Sequence, residues 1–238
     1  MNTALITGGT KGIGFAISKK LLENGYFIIV TYASDEAAAK NAQDEFSNHS
    51  NNFLILQQTL NSKDDVLHLF EQCKEYNFDL IVLNAGCTDR TPWKDLTWEQ
   101  WINVMNVNVN VPAEIIRKFD SLLQNNGNII MISSDMSIYP HATSVPYTVS
   151  KAALNGLTLA LVKEYCERNI RVNAILPGFV DTPWQKDKPE DQRQRICDKV
   201  ALHRFAEPEE IADVVLSVMK ASYINGALIK VDGGYCYK

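Results

Sequence analysis

The chain has 238 residues, 46% of them hydrophobic and 21% charged, too apolar for a disordered chain and too evenly interrupted by charge for a membrane protein. Lys and Arg number 23 against 28 Asp and Glu, a net charge of −5 that leaves no basic footprint for nucleic acid. Cys73, Cys87, Cys166, Cys197 and Cys236 are scattered without C-x-x-C spacing, so they signal neither a disulfide framework nor a zinc site.

In chain order, seven apolar, β-branched runs read as strands at residues 3–7, 26–32, 53–57, 80–84, 128–133, 171–176 and 227–231. Their near-continuous apolar character predicts strands buried on both faces. The segments between them carry the 3.6-residue period. Val66, Leu69, Phe70 and Cys73 fall at i, i+3, i+4 and i+7, and Ile211, Val214, Val215 and Val218 repeat the pattern after Pro208. Strand and helix therefore alternate, which predicts an α/β fold: a Rossmann-like, doubly wound, parallel seven-stranded sheet with helices on both faces. Its ligand site would lie beyond the carboxyl ends of the strands. One domain over residues 1–238 accommodates all of it, with no metal site expected. The stretch WQKDKPEDQRQR at residues 184–195 is too polar to pack, and predicts an exposed excursion within a mobile substrate lid at about 179–205. No basic segment leads into a long apolar one, so neither export nor a membrane anchor is expected, and reduced thiols fit a cytoplasmic protein.

After the first strand comes Thr7-Gly8-Gly9-Thr10-Lys11-Gly12-Ile13-Gly14, followed by a helical stretch with Ile17 and Leu21 four apart. Gly8 and Gly12 permit positive φ and close backbone approach, while Gly14 lets the helix pack tightly on the strand. The helix N-terminus then presents unpaired N–H groups and a positive dipole to a pyrophosphate. The spacing is not G-x-G-x-x-G and no Lys-Ser/Thr follows to make a Walker A loop.

Tyr147 and Lys151 are four apart on a predicted helix, so phenol and ammonium share a face about 6 Å apart along the axis. A cation about 5 Å away at an effective dielectric of about 20 favours phenolate by about 3 kcal/mol, which predicts a depressed tyrosine pKa. An isolated Y-x-x-x-K is more often a solvated surface pair. Ser134 alters that reading, because it ends the fifth strand at the sheet's carboxyl edge, thirteen residues before Tyr147. His49, His68, His141 and His203 form no i, i+4 pair, which disfavours a metal hydrolase.

These motifs together resemble the short-chain dehydrogenase/reductase family. Thr7 to Gly14 matches its T-G-x-x-x-G-x-G, and Asn84-Ala85-Gly86, Pro177-Gly178 with Thr182, and Val231-Asp232-Gly233-Gly234 resemble its later motifs in order. The resemblance implies a nicotinamide dinucleotide held at the glycine turn by Gly8, Thr10, Lys11, Gly12, Ile13 and Gly14. Tyr32, Ala33 and Ser34 would follow on the ribose side, with Thr59 and Leu60 near the adenine. Asn84, Ala85 and Gly86 would border the cofactor, and Pro177, Gly178, Val180 and Thr182 would touch its nicotinamide end. Tyr32 occupies the position that is acidic in NAD-selective relatives, and Lys11 is basic, so NADP(H) is expected over NAD(H). Asp35, three residues beyond Tyr32, opposes that expectation.

The resemblance also implies roles. Tyr147 would be general acid in reduction and base in oxidation, with Ser134 binding the carbonyl oxygen. Lys151 would lower the tyrosine pKa and hold the nicotinamide ribose. An asparagine would keep a water in a proton relay. Asn103, Asn106, Asn108 and Asn110 compete for that position, and counting from the preceding tryptophan selects Asn108, with Asn110 next. Ser133 is one place short of the serine spacing. Met136, Ile138, Trp184 and the segment from Phe179 to Phe205 would wall the substrate. The layout is most similar to the bacterial 3-oxoacyl-[acyl-carrier-protein] reductases of fatty acid biosynthesis, implying a 3-oxoacyl thioester, a sugar-like or xenobiotic carbonyl being the alternative. An acyl-carrier protein would dock on basic residues. Arg168 is present at one such position, and Asn128 replaces the other, just before the fifth strand. A homodimer or homotetramer is implied as well. A non-catalytic dinucleotide sensor would keep the glycine turn but lose the acid and base.

Overall fold

The computed structural model describes residues 1–140, 144–235 and 237, so His141 and Cys236 lie outside the described residues. The elements alternate as β1 (Thr3–Ile6), α1 (Gly12–Glu23), β2 (Phe27–Tyr32), α2 (Glu36–His49), β3 (Phe53–Gln57), α3 (Lys63–Cys73) and β4 (Phe78–Leu83). There follow α4 (Trp98–Met105), a π-helical turn (Asn106–Asn110), α5 (Val111–Lys118), β5 (Leu123–Ile132), α6 (Val145–Glu164), β6 (Arg171–Pro177), α7 (Glu190–Cys197), α8 (Pro208–Lys220) and β7 (Leu228–Val231). All pairings are parallel, in the order β3-β2-β1-β4-β5-β6-β7.

Alternate residues of each strand enter separate cores. Leu5, Ile29, Ile81, Ile129 and Met131 pack with α3, α5 and α6, whereas Ala4, Ile6, Ile28, Val82 and Ile130 pack with α1, α2 and α8. This two-sided burial is why the strands read as unbroken apolar runs. Each fully buried Ile or Leu contributes about 1.5–3 kcal/mol. The chain winds outward through β2 and β3, then returns to place β4 on the other side of β1. The switch between β1 and β4 opens a crevice at their carboxyl ends.

Strand boundaries differ from the sequence expectation where polar residues or turns intervene. The fifth strand begins at Leu123, not residue 128, because Gln124, Asn125 and Asn126 form a bulged, exposed stretch in which Asn126 takes a φ of 65°. Asn128 is thus inside the strand, paired opposite Leu80 and Arg171. Tyr26 belongs to the turn that closes α1, its N–H donating to the Leu21 carbonyl after Gly25 at a φ of 79°. Among the described residues, no helix is long and apolar enough to cross a membrane, and no cluster of His, Cys, Asp and Glu could hold a metal.

Candidate active site

The crevice is a cleft of about 570 Å³ running from the end of β2, across the glycine turn, to the start of α6. Thr7 organises its floor: its hydroxyl accepts the N–H groups of Asn84 and Ala85, each at 3.0 Å. The Asn84 amide in turn donates to the carbonyls of Thr7 and Gly8, both at 3.0 Å. Gly8 and Gly12 adopt φ values of 65° and 55°, as their place in the turn requires. A Cβ on Gly8 would stand 3.2 Å from the Ala85 backbone, and one on Gly12 would meet Thr182 at 3.3 Å. The cradle is therefore shaped for a ligand lying against bare backbone. At the start of α1, Lys11 makes no side-chain cap, so the first N–H groups remain open to an anion.

Gly8, Thr10, Lys11, Gly12 and Ile13 line the cleft, as do Tyr32, Ala33 and Ser34, Thr59 and Leu60, Asn84 to Gly86, and Pro177, Gly178, Val180 and Thr182. Gly14 does not. A Cβ there would come within 2.2 Å of the Gly8 carbonyl, so Gly14 permits α1 to close on the turn and is a packing residue. Lys11 is not a free cation: its ammonium is 2.9 Å from the Asp35 carboxylate, and this contact is the main reason the Asp35 pKa is lowered.

Ser134, Tyr147 and Lys151 converge on the same cleft. β5 stops at Ile132, so Ser134 does not end the strand but lies two residues beyond it, and its hydroxyl accepts the Met136 N–H at 3.2 Å and hydrogen-bonds Tyr147. Ser144 starts α6; its hydroxyl donates to the Asp89 carbonyl at 2.5 Å and pairs with Thr88 at 2.9 Å, fixing the end of the helix from which Tyr147 projects. Ser133 instead donates to the Lys151 carbonyl at 3.1 Å, tying α6 to the strand end.

The electrostatics depart from the sequence expectation. Burial pushes the Tyr147 pKa up to about 12, against a smaller lowering by the Ser134 hydrogen bond. The ring still opens partly to the cleft. Burial likewise pushes Lys151 down to about 8. The Lys151 ammonium is 5.6 Å from the centroid of the tyrosine ring and donates to the Ile132 carbonyl at 2.8 Å. The expected depression of the tyrosine by the amine is thus overturned, because Coulomb attraction alone omits the desolvation of both partners.

Of the four competing asparagines, Asn108 is the fully buried one. It sits in the π-helical turn, its Oδ1 accepting the Cys87 N–H at 2.8 Å. Its Nδ2 donates to the Cys87 carbonyl and to the Ser150 hydroxyl, both at 2.9 Å. Asn110 pairs on the surface with Asn106. Asn108 therefore acts structurally as a clamp between the loop after β4 and α6, and a Cβ on Gly86 would crowd it at 3.2 Å.

At the other end, Met136 and Trp184 line the cleft, the Trp184 ring centroid standing 6.2 Å from that of Tyr147. Phe179 lines it too, backed by Phe205 at 5.6 Å and Tyr235 at 5.4 Å. Ile138 and Phe205 do not line it: Ile138 faces solvent and Phe205 is buried behind Phe179. Residues 184–195 form an exposed 3₁₀ turn and α7, yet Arg193 does pack, 4.3 Å over the Phe205 ring and 3.1 Å from Asp181. Sequence reasoning missed Cys87, Arg90, Ser144 and Lys188 in the lining, because isolated loop residues carry no periodic signal.

A family model described as enoyl-(acyl carrier protein) reductase matches residues 8–236. The chain is 34% identical over 241 residues to the 3-oxoacyl-[acyl-carrier-protein] reductase of Aquifex aeolicus, covering 97% of this chain and 96% of that protein. Its fold superposes on a short-chain dehydrogenase/reductase from Serratia marcescens with a TM-score of 0.92 at 28% identity, over 98% of this chain and 97% of the other. A similar match, TM-score 0.91 at 30% identity over 98% and 95% of the two chains, is to an angucycline C-6 ketoreductase with bound NADP.

Proposed function

The chain belongs to the short-chain dehydrogenase/reductase family of oxidoreductases, and on that premise we propose that it uses NADPH to reduce a ketone to a secondary alcohol, a 3-oxoacyl thioester being the leading substrate class. The observation that carries this reading is the convergence of Ser134, Tyr147 and Lys151 on the cleft that also holds the glycine turn. The same trio argues against a dinucleotide sensor without chemistry.

The bare backbone of the glycine turn and the open N–H groups of α1 suit a dinucleotide pyrophosphate. Lys11 would hold a ribose 2′-phosphate by exchanging its Asp35 partner for it. No carboxylate stands at Tyr32, Ala33 or Ser34 to repel that phosphate. When bound, the nicotinamide supplies the hydride. The Ser134 hydroxyl orients the substrate carbonyl oxygen, and Tyr147, kept protonated at neutral pH by its burial, gives its proton to the alkoxide as that forms. The Lys151 ammonium adds positive charge beside the phenol and would hold the ribose hydroxyls. Asn108 positions α6 through Ser150.

Docking of an acidic carrier protein finds little support at the expected places. The Arg168 guanidinium is spent on the Asp120 carboxylate at 2.8 Å, the Asp120 and Leu123 carbonyls and Asn125. Asn128 is within β5. This favours a second reading, in which the ketone is a free small molecule. Assembly into a homo-oligomer, a dimer or tetramer, is supported by exposed Val145, Val149, Ala152, Gly156 and Leu159, which follow one another down one face of α6. We place the enzyme in the cytoplasm on the free thiols of Cys73, Cys87, Cys166 and Cys197 among the described residues.

Absorbance assays with NADPH and NADH tell the readings apart. An acetoacetyl thioester should be reduced faster than sugar or aromatic ketones, with NADPH preferred. Higher kcat/KM for the free ketones refutes the thioester assignment, and equal or higher kcat/KM with NADH refutes the cofactor assignment.

A further inference from the structure

The cleft is also lined by two cations, Arg90 and Lys188, that the chemistry above does not use. Arg90 lies one residue beyond Asp89, whose carbonyl accepts the Ser144 hydroxyl at the start of α6, so its loop is fixed to the end of the helix that carries Tyr147. Lys188 comes from the segment between Trp184 and α7, close enough to Arg90 for the two charges to repel. Both side chains line the cleft.

Among the described residues, neither has a carboxylate partner. Asp89 accepts from the Thr91 N–H at 2.8 Å and Asp181 pairs with Arg193 at 3.1 Å, while Asp187, next to Lys188 in the chain, is exposed and forms no ion pair with it among the described residues. Burial, followed by the positive charges of Arg90 and Arg193, lowers the Lys188 pKa. In a chain of net charge −5, two mutually repelling cations have been left unpaired in one cleft. An anion between them would remove that repulsion, and the partial burial of Lys188 would strengthen its hold on it. The adjoining wall is apolar, formed by Met136, Phe179 and Trp184. The cofactor's own 2′-phosphate does not meet this requirement, since its candidate partner Lys11 lies on the other side of the glycine turn beside Asp35.

We propose that Arg90 and Lys188 form an anion subsite that selects a ketone bearing a carboxylate or phosphate beyond its carbonyl. This rests on the ketone-reductase reading and specifies its substrate. A guanidinium and an ammonium lining one cleft recognise either anion, the first as a planar fork and the second as a point charge.

The test is kcat/KM with NADPH for two matched pairs: levulinate against ethyl levulinate, and acetoacetyl-coenzyme A against acetoacetyl-N-acetylcysteamine. The first pair isolates a carboxylate and the second a phosphorylated arm. In at least one pair the anionic member should lead by about tenfold or more, mainly through KM, and added salt should shrink the lead. The double variant Arg90→Gln/Lys188→Gln, checked for an unchanged circular dichroism spectrum and Tm, should bring that ratio close to one. The subsite is overturned if the wild-type ratio is near one in both pairs, if the double variant keeps the wild-type ratio, or if the double variant weakens NADPH binding instead of changing the ratio. Reduction at equal rates within both pairs refutes the subsite alone. Reduction of none of the four refutes the ketone reading together with it.

Discussion

The Lys151 ammonium, 5.6 Å from the centroid of the Tyr147 ring, donates its hydrogen bond to the Ile132 carbonyl and not to the phenol. With Lys151 pushed down to about 8 and Tyr147 up to about 12, the titration nearest neutral pH belongs to the amine. The ammonium is populated below about pH 8 and lost above it, so kcat/KM for reduction should fall by about tenfold per pH unit beyond that point. Lys151→Arg, whose guanidinium stays charged, should move this limb to higher pH. A wild-type profile that is flat to pH 10 contradicts the assignment.

Removing the proton donor separates chemistry from binding. Tyr147→Phe should lower kcat by about 100- to 10,000-fold while NADPH affinity, followed by fluorescence titration, changes little. Ser134→Ala should cost about 100- to 1,000-fold, because the carbonyl oxygen loses a preorganised donor. Native ketone turnover by Tyr147→Phe would leave the fold standing and remove the mechanism.

The bridge between Lys11 and Asp35 sets a cost on binding a 2′-phosphate, since Lys11 must give up one anion to take another. Asp35→Asn frees that amine and should raise the preference for NADPH over NADH by about tenfold. Lys11→Gln should lower it by a similar factor. Both comparisons are ratios of kcat/KM, so a general loss of activity cancels.

Two glycines of the first βα unit test space against backbone strain. A Cβ on Gly14 would lie 2.2 Å from the Gly8 carbonyl, a backbone atom that cannot swing aside, so Gly14→Ala should cost about 3 kcal/mol or more, or about 10 °C in Tm. It should also displace the turn and weaken NADPH binding. Gly25 has a φ of 79° with nothing within 4 Å of its added Cβ, so Gly25→Ala should cost about 1–2 kcal/mol of strain and leave the cofactor Kd unchanged. Equal Tm losses in the two variants, measured by thermal denaturation, would show that the contact with Gly8 relaxes freely.

Periodicity and local chemistry alone located all seven strands, the glycine turn with its two left-handed residues, and the helix that sets Tyr147 and Lys151 on one face. These are properties of neighbouring residues, set by side-chain alternation, the missing Cβ of glycine and the 3.6-residue turn, so a linear chain displays them directly. Other features depended on which groups the fold brought together. The partner of Lys11 is 24 residues away, that of Arg168 is 48 away, and the Asn108 clamp reaches 42 residues to Ser150. The inversion of the expected tyrosine shift has the same origin: desolvation depends on everything packed around a group, whereas spacing along a helix reports only the distance to one neighbour. The two cations of the cleft follow suit, for Arg90 and Lys188 come from loops almost a hundred residues apart and only the tertiary structure sets them in one cleft.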